Sequence, residues 1–452
     1  MSTSGRPVRT AILGLGGRGA EAYGQWFLRH PELATVVAVA EPMEHRREAF
    51  ADSAGVPADH RYAAWPALLD DAERLGLDAV VIALPDRVHV EPAVAAARRG
   101  LAILLEKPMA TDEEALRDLE TRLRGLAPRV AVAHVLRETP FWRSVHAVLD
   151  DGLIGEPVTI RLEENIGYWH FAHSYVRGNW RNTAAASPMV LAKTSHDLDI
   201  IRWLAGHPPR TVSSVGNLLH FRAENAPEGA PTHCVHGCPA ADTCPFYAPR
   251  YYVDALADVD GWPVALLGSD TSRAGRLTAL AEGPYGRCVY RSDNDVVDHQ
   301  QTVFEFPGGL TATLTTSAFT GANTRTVQIT GTRGEVSGRM ETGELRLQRF
   351  SPAATAPPSV GYAVTSSTDG PLGHRVDEWR AVPEASDAGD HRGHAGGDDA
   401  LVERFVRAVA ADDFDAEVTT SLAASLDSHW MAFAAERSRH TRRVVTLADV
   451  RP

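Results

Sequence analysis

Arg9-Thr10-Ala11-Ile12-Leu13-Gly14-Leu15-Gly16-Gly17-Arg18-Gly19 is the stretch on which the reading of the fold turns. Its first residues are a short, largely apolar run that predicts a β-strand, and the run feeds directly into G-x-G-x-x-G. Gly14 permits a tight turn, Gly16 removes the side chain that would block a pyrophosphate, and Gly19 lets the next helix pack closely on its strand. Gly17 and Arg18 belong to the same turn. The helix N-terminus that follows offers unpaired N–H groups and a positive dipole end to an anion. Such hexapeptides also arise by chance as plain turns, so the reading depends on what comes next.

What comes next is Thr35-Val36-Val37-Ala38-Val39-Ala40, a buried-strand run ending in Glu41. That acid stands about 20 residues beyond Gly19, where a ribose-binding carboxylate belongs. It would accept from the ribose hydroxyls and repel a 2′-phosphate, which favours NAD over NADP. Arg46 and Arg47, just beyond, could hold such a phosphate. Strand and helix then keep alternating. Asp78 to Leu84 is a continuous apolar strand ending at the loop Pro85-Asp86-Arg87-Val88-His89. A helix from about Glu91 to Arg99 stops at Gly100, and Leu101 to Leu105 delivers Glu106-Lys107-Pro108 to the same sheet edge. Thr111 and Glu114 read as a capping box, and Arg129 to His134 as a last strand. This is the pattern of a doubly wound parallel sheet, an α/β Rossmann domain over residues 1–135, with ligands at its carboxyl edge. Leu84, Pro85, His89, Glu106 and Lys107 therefore join the cofactor candidates.

The glycine turn, Glu41, the Pro85 to His89 loop and Glu106-Lys107-Pro108, in this order, resemble the Gfo/Idh/MocA oxidoreductases, the glucose-fructose oxidoreductase and inositol dehydrogenase group. The resemblance extends to Trp180-Arg181 and His196-Asp197-Leu198-Asp199. It implies a C-terminal α+β domain, residues 136–452, built on a large, mainly antiparallel sheet that covers the nicotinamide. Alternation at Val158, Ile160 and Leu162 supports that sheet independently, as do Gln301 to Phe306 and Leu310 to Thr315 flanking Pro307-Gly308-Gly309. Arg325 to Thr330 and Glu344 to Arg349 read as further strands, and Met189 to Leu204 as one helix with Lys193 and His196 on a shared face. Residues 223–298 form an insertion rich in Pro, Cys and aromatics. Ser351 to Ala395 reads as a surface excursion, followed by helices Ala400 to Ala411 and Thr420 to Arg437.

With 452 residues the chain is too long for one ordinary core. Its 45 basic and 58 acidic residues give a net charge of −13, which offers nothing to nucleic acid or an anionic membrane. No apolar signal region opens the sequence and no stretch approaches a membrane span, so a cytoplasmic protein is expected, as a homo-oligomer, dimer or tetramer.

Oxidising a secondary alcohol requires a base beside the cofactor. Lys107, held by a strand end and followed by proline, is placed for this, and partial desolvation next to a cationic nicotinamide would favour its neutral form. A solvated lysine merely pairing with Glu106 is the alternative. The resemblance places His196 at the substrate, where it could share the proton. Many members carry an Asp four residues before that histidine; here the position is Ala192, and the neighbouring charge is Lys193. Inside the pocket Lys193 would favour neutral Lys107 or hold an anionic substituent. Arg137, Tyr168, His170, Trp180, Arg181, Asp199 and His394 are candidates for lining a sugar pocket.

The expected function is NAD-dependent oxidation of a sugar, sugar derivative or cyclitol. A glycosidase working through transient oxidation, elimination and re-reduction is the second reading. A cofactor-binding sensor without turnover is the third. Cys234, Cys238, Cys244 and Cys288, with His233 and His236 interleaved, suggest a structural zinc site that would fix an insertion lacking its own core; separate thiols are the alternative.

Overall fold

The computed structural model describes residues 6–126, 128–351, 365–367, 374–381, 396–411, 414 and 418–451. Its first sheet contains β1 (Val8–Leu13), β2 (Ala34–Ala40), β3 (Arg61–Tyr62), β4 (Ala79–Ile82), β5 (Ala102–Leu105) and β6 (Val130–Val132). All pairs are parallel and the order is β3-β2-β1-β4-β5-β6, the doubly wound arrangement that reverses direction beside β1. Both faces are apolar because both are covered. Ile12, Val39, Val81 and Leu104 pack on one side with Trp26, Phe50 and, from the C-terminal helix Gly397–Ala411, Leu401, Val402 and Phe405. Leu13, Ile82, Ile103 and Leu105 pack on the other with Leu69, Val94, Leu116 and Trp430.

The second sheet runs β14-β15-β13-β12-β11-β7-β10-β9-β8-β16. Its strands are β7 (Pro157–Gly167), β8 (Thr211–Asn217), β9 (His299–Glu305), β10 (Thr311–Thr320), β11 (Thr324–Gly331), β12 (Gly334–Arg339), β13 (Glu344–Arg349), β14 (Thr365–Ser367), β15 (Arg375–Arg380) and β16 (Val445–Thr446). Pairing is antiparallel except between β7 and β10. The predicted hairpin is β9–β10, with Gly308 and Gly309 at φ +83° and +94°, a conformation other residues rarely adopt. Helix Leu422–Thr441 joins the two sheets, packing on helix Ser195–Ala205, β8 and β6. Its Trp430, Met431, Ala432 and Ala434 are fully buried because it has neighbours on nearly every side. No described helix is long and apolar enough to cross a membrane.

Three local expectations need correction. The predicted helix Met189 to Leu204 is two helices, Met189–Ala192 and Ser195–Ala205, broken at Lys193 and Thr194. There the Thr194 hydroxyl turns back to donate to Val190 O at 2.6 Å. The cap of helix Glu113–Leu123 is Asp112, whose carboxylate accepts from Ala115 N at 2.9 Å, in place of Thr111. The excursion after Ser351 contains β15, which buries Val376 and Trp379 against β13.

Candidate active site

The glycine turn is built as its spacing requires. Gly14 has φ +90°, and a Cβ there would stand 2.4 Å from Ala83 O; one on Gly19 would stand 1.9 Å from Gly14 O. A Cβ on Gly16 would meet nothing within 4 Å, so that position faces the open space a pyrophosphate needs. The turn leads into the π-wound segment Gly17–Gly24 and helix Gln25–Arg29. Glu41 ends β2 and is nearly buried. Its carboxylate accepts from Leu15 N at 2.8 Å and Met43 N at 3.0 Å, so the ribose candidate also ties the glycine turn to the second strand. Arg46 is exposed on helix Glu44–Ser53, whereas Arg47 donates to Glu41 O at 2.8 Å. These residues fit a dinucleotide with an unmodified ribose.

Arg18 reaches across the turn to Glu106, Nε to Oε1 at 2.5 Å, and to Asp398 at the start of helix Gly397–Ala411, also at 2.5 Å. The Tyr23 hydroxyl donates to Glu106 as well. Burial alone would raise the Glu106 carboxyl, but the charges of Arg18 and Lys107 hold it below its ordinary value. His89, fully buried, bridges Leu84 O and Pro108 O at 2.7 Å each, which fixes the Pro85 loop against the cis Lys107–Pro108 bond. It is a brace between two candidate loops.

Lys107 lies in this frame, its pKa lowered chiefly by burial. Glu106 and Asp86 oppose the shift, and Lys193 and Arg18 add to it. The neutral amine that a base requires is thereby favoured. Asp86 is in turn held by the Trp180 indole at 3.1 Å, so Trp180 reaches the site through that loop. His196 is nearly buried, with its ring edge-on to His134 at 5.9 Å. His134 follows β6, feels the Lys107 charge, and is pushed down to about 4 by burial. Its far face meets His429, 5.9 Å away, whose Nε2 accepts from Met109 N.

Lys193 carries a further set of charges. Its Nζ lies 2.5 Å from Glu164 Oε1, the other oxygen of that carboxylate is 2.7 Å from Arg325 Nε, and Arg325 Nε is 2.8 Å from Asp197 Oδ1. Glu164 and Asp197 are buried. Burial raises the Asp197 carboxyl, against the pull of Arg325. Sequence reasoning missed Glu164, Arg325 and Asp197 as members of the site. A signal existed for two of them: Glu164 shares the inward register of Ile160, Leu162 and Ile166, and Arg325 that of Val327 and Ile329.

Residues 8–134 match the model of an oxidoreductase family NAD-binding Rossmann fold, and residues 147–352 that of the family's C-terminal alpha/beta domain. The chain belongs to the Gfo/Idh/MocA oxidoreductase family. Inositol 2-dehydrogenase 2 of Saccharopolyspora erythraea is 38% identical over 31% of this chain and 37% of its own length. Inositol 2-dehydrogenase of Streptomyces avermitilis is 34% identical over 43% of this chain and 52% of its own. The chain thus spans about a third to a half of these curated relatives. The solved structure of levoglucosan dehydrogenase with NADH and levoglucosan superposes with a TM-score of 0.67 over 98% of this chain and 100% of that one, at 17% identity, a likeness of fold.

Within this Gfo/Idh/MocA chain the remaining candidates are dispersed. Arg137 and Asp199 are both buried and bind each other through two bonds of 2.6 Å. They brace helix Ser195–Ala205 from behind. Arg181 pairs with Asp293 at 2.8 Å and anchors the insertion. Tyr168 is exposed at the start of the short helix Tyr168–Phe171, which follows β7, with its ring edge against Phe246. His170 lies near Lys193 and Glu164, and burial pushes its ring down to about 4. His394 falls outside the described residues.

The zinc expectation is not supported. Among the described residues no group of three or more His, Cys, Asp or Glu side chains is arranged to hold a metal ion. All four cysteines are free thiols, and burial raises those of Cys244 and Cys288. The premise also fails, because the insertion has a core of its own in Ala248, Tyr252, Val253, Leu280 and Tyr285. Buried Arg276 donates to the carbonyls of Thr271, Tyr252, Leu256, Ala257 and Val259, which stitches the loops together.

Proposed function

We propose that this chain oxidises a secondary hydroxyl of a sugar, sugar derivative or cyclitol with NAD, using Lys107 as general base. The observation that carries the reading is the setting of Lys107, half-buried at the carboxyl edge of the parallel sheet beside Glu106, Asp86 and Lys193, with its pKa lowered. The turn Gly14 to Gly19, Glu41 and the Pro85 loop would hold the dinucleotide, which supplies the hydride acceptor when bound. The Lys107 amine takes the hydroxyl proton, and the carboxylates of Glu106 and Asp86 stabilise the ammonium that forms. His196 shares the hydrogen bond to that hydroxyl, with His134 packed behind its ring. Lys193, anchored by Glu164, limits the basicity of Lys107 and offers a donor to a neighbouring substituent. Residues 1–135 serve the cofactor and 136–452 the substrate in this reading. Inositol in the names of two relatives and levoglucosan in that of the structural neighbour support the substrate class.

The test is a panel of sugars, glycosides and cyclitols assayed by NADH formation, with Lys107→Met beside the wild type. Turnover by the wild type, lost in Lys107→Met while NADH binding persists, is the expected result. Substantial activity in Lys107→Met would remove the proposed base.

A further inference from the structure

We propose that the insertion adds a second-ring subsite beside the redox pocket, so that the substrate class is a glycoside: the oxidised ring joined to a further sugar or aryl ring. The inference rests on the function proposed above and narrows it.

His170 is where the two regions meet. It lies near Lys193, Glu164 and Arg325 on one side and belongs to an aromatic group on the other. Its Nδ1 donates to Asn323 Oδ1 at 3.0 Å, an oxygen that also accepts from Gly167 N at 2.8 Å. With the proton on Nδ1, the ring of neutral His170 presents Nε2 as an acceptor suited to a sugar hydroxyl. Outward from it, Trp169 stacks on His170 at 5.6 Å and 26°. Trp262, from the insertion, stands across both, 5.4 Å and 84° from His170 and 6.3 Å and 61° from Trp169. Tyr251 backs Trp169 at 5.7 Å.

The result is an aromatic cluster in which Trp262 also meets the His173 ring at 5.4 Å and 86°, so the surface offered to a further ring is the exposed side of Trp262 beside His170. The indole of Trp169 lies so close over the backbone that a Cβ on Gly167 would stand 2.9 Å from its Nε1. Trp262 is 50% exposed, whereas the other tryptophans are buried or half-buried. A rim of aromatic faces beside a charged floor suits a sugar or aryl ring, which offers a flat apolar face and, for a sugar, hydroxyls at its edge.

The experiment measures binding to the NADH-saturated protein by calorimetry. Methyl glycosides of the gluco, galacto and manno series are compared with the matching p-nitrophenyl glycosides and with cellobiose, lactose and mannobiose, for wild type, Trp262→Ala and Trp262→Phe. In at least one series the wild type is expected to prefer a two-ring probe by about tenfold, the worth of one good aromatic contact. Trp262→Ala should abolish that preference with methyl glycoside and NADH affinities unchanged, and Trp262→Phe should keep part of it. The aryl and disaccharide arms separate the two kinds of second ring. No two-ring preference in any series, or equal losses for one-ring and two-ring probes in Trp262→Ala, would overturn the subsite. Because binding is read without turnover, this failure is distinct from activity persisting in Lys107→Met.

Discussion

Glu164 occupies an inward position of β7 that apolar neighbours would otherwise fill, and its carboxylate is shared between Lys193 and Arg325. A carboxylate buried in that position needs cationic partners, which Lys193 and Arg325 supply. The sign of the Lys193 effect follows. With Lys107 as the proposed base its active form is neutral, so the rate should rise as pH climbs through its pKa, which the Lys193 charge lowers. Lys193→Met should therefore move the rising limb of kcat/KM to higher pH and cost about tenfold at neutral pH. Glu164→Gln, which leaves Lys193 without its counter-charge, should move the limb to lower pH. Limbs that stay in place in both variants would detach Lys193 from the base. Glu41→Ala should weaken NAD binding and narrow the preference over NADP, and should cost about 1–3 kcal/mol of stability through the lost bonds to Leu15 and Met43. Cofactor titration and thermal melts would read the two effects separately. At this scale Lys107, His196 and the glycine turn stand out in the sequence as candidates, because each sits in a local pattern. It could not reveal that Arg137 and Asp199 satisfy each other, since that depends on two elements meeting across the core.

Among the elements, strands were legible and interruptions were not. Continuous apolar runs and alternation mark β1, β2, β4, β5, β9 and β10, because burial on one or both faces writes itself into residue type. The break at Lys193 and Thr194 leaves no such mark, for helix spacing continues through it while the Thr194 hydroxyl redirects the chain. The insertion shows the same limit. Its cysteines drew attention, but Arg276 and the packed tyrosines hold it. Arg276→Ala should leave several buried carbonyls without donors, a loss of about 1–3 kcal/mol for each group left unsatisfied. Limited proteolysis should then cut within 223–298 much faster than in the wild type while NADH binding persists. Unchanged proteolysis would show that the aromatic core suffices.

Over the whole molecule the largest apolar core runs without a gap from the first sheet to the second, through Leu105, Trp142, Leu198, Trp430 and Leu314. Two sheets that share a core unfold together. Scanning calorimetry should accordingly give one transition, raised by NADH as a whole, with about 2.7 kcal/mol gained at a hundredfold excess over the dissociation constant. Two transitions, one insensitive to NADH, would contradict this. The return of the C-terminal segment has a further consequence, for the order of events at the ribosome. Helix Gly397–Ala411 closes one face of the nucleotide-binding sheet and supplies Asp398 to Arg18, and Thr420 O accepts from Val132 N at the edge of that sheet. Strands translated first thus keep an uncovered apolar face while most of the chain is still being made. Nascent chains stalled near residue 351 should recruit chaperones and fail to bind NADH, and chains released after residue 451 should do neither; ribosome-bound pull-downs at graded lengths would show where the change occurs.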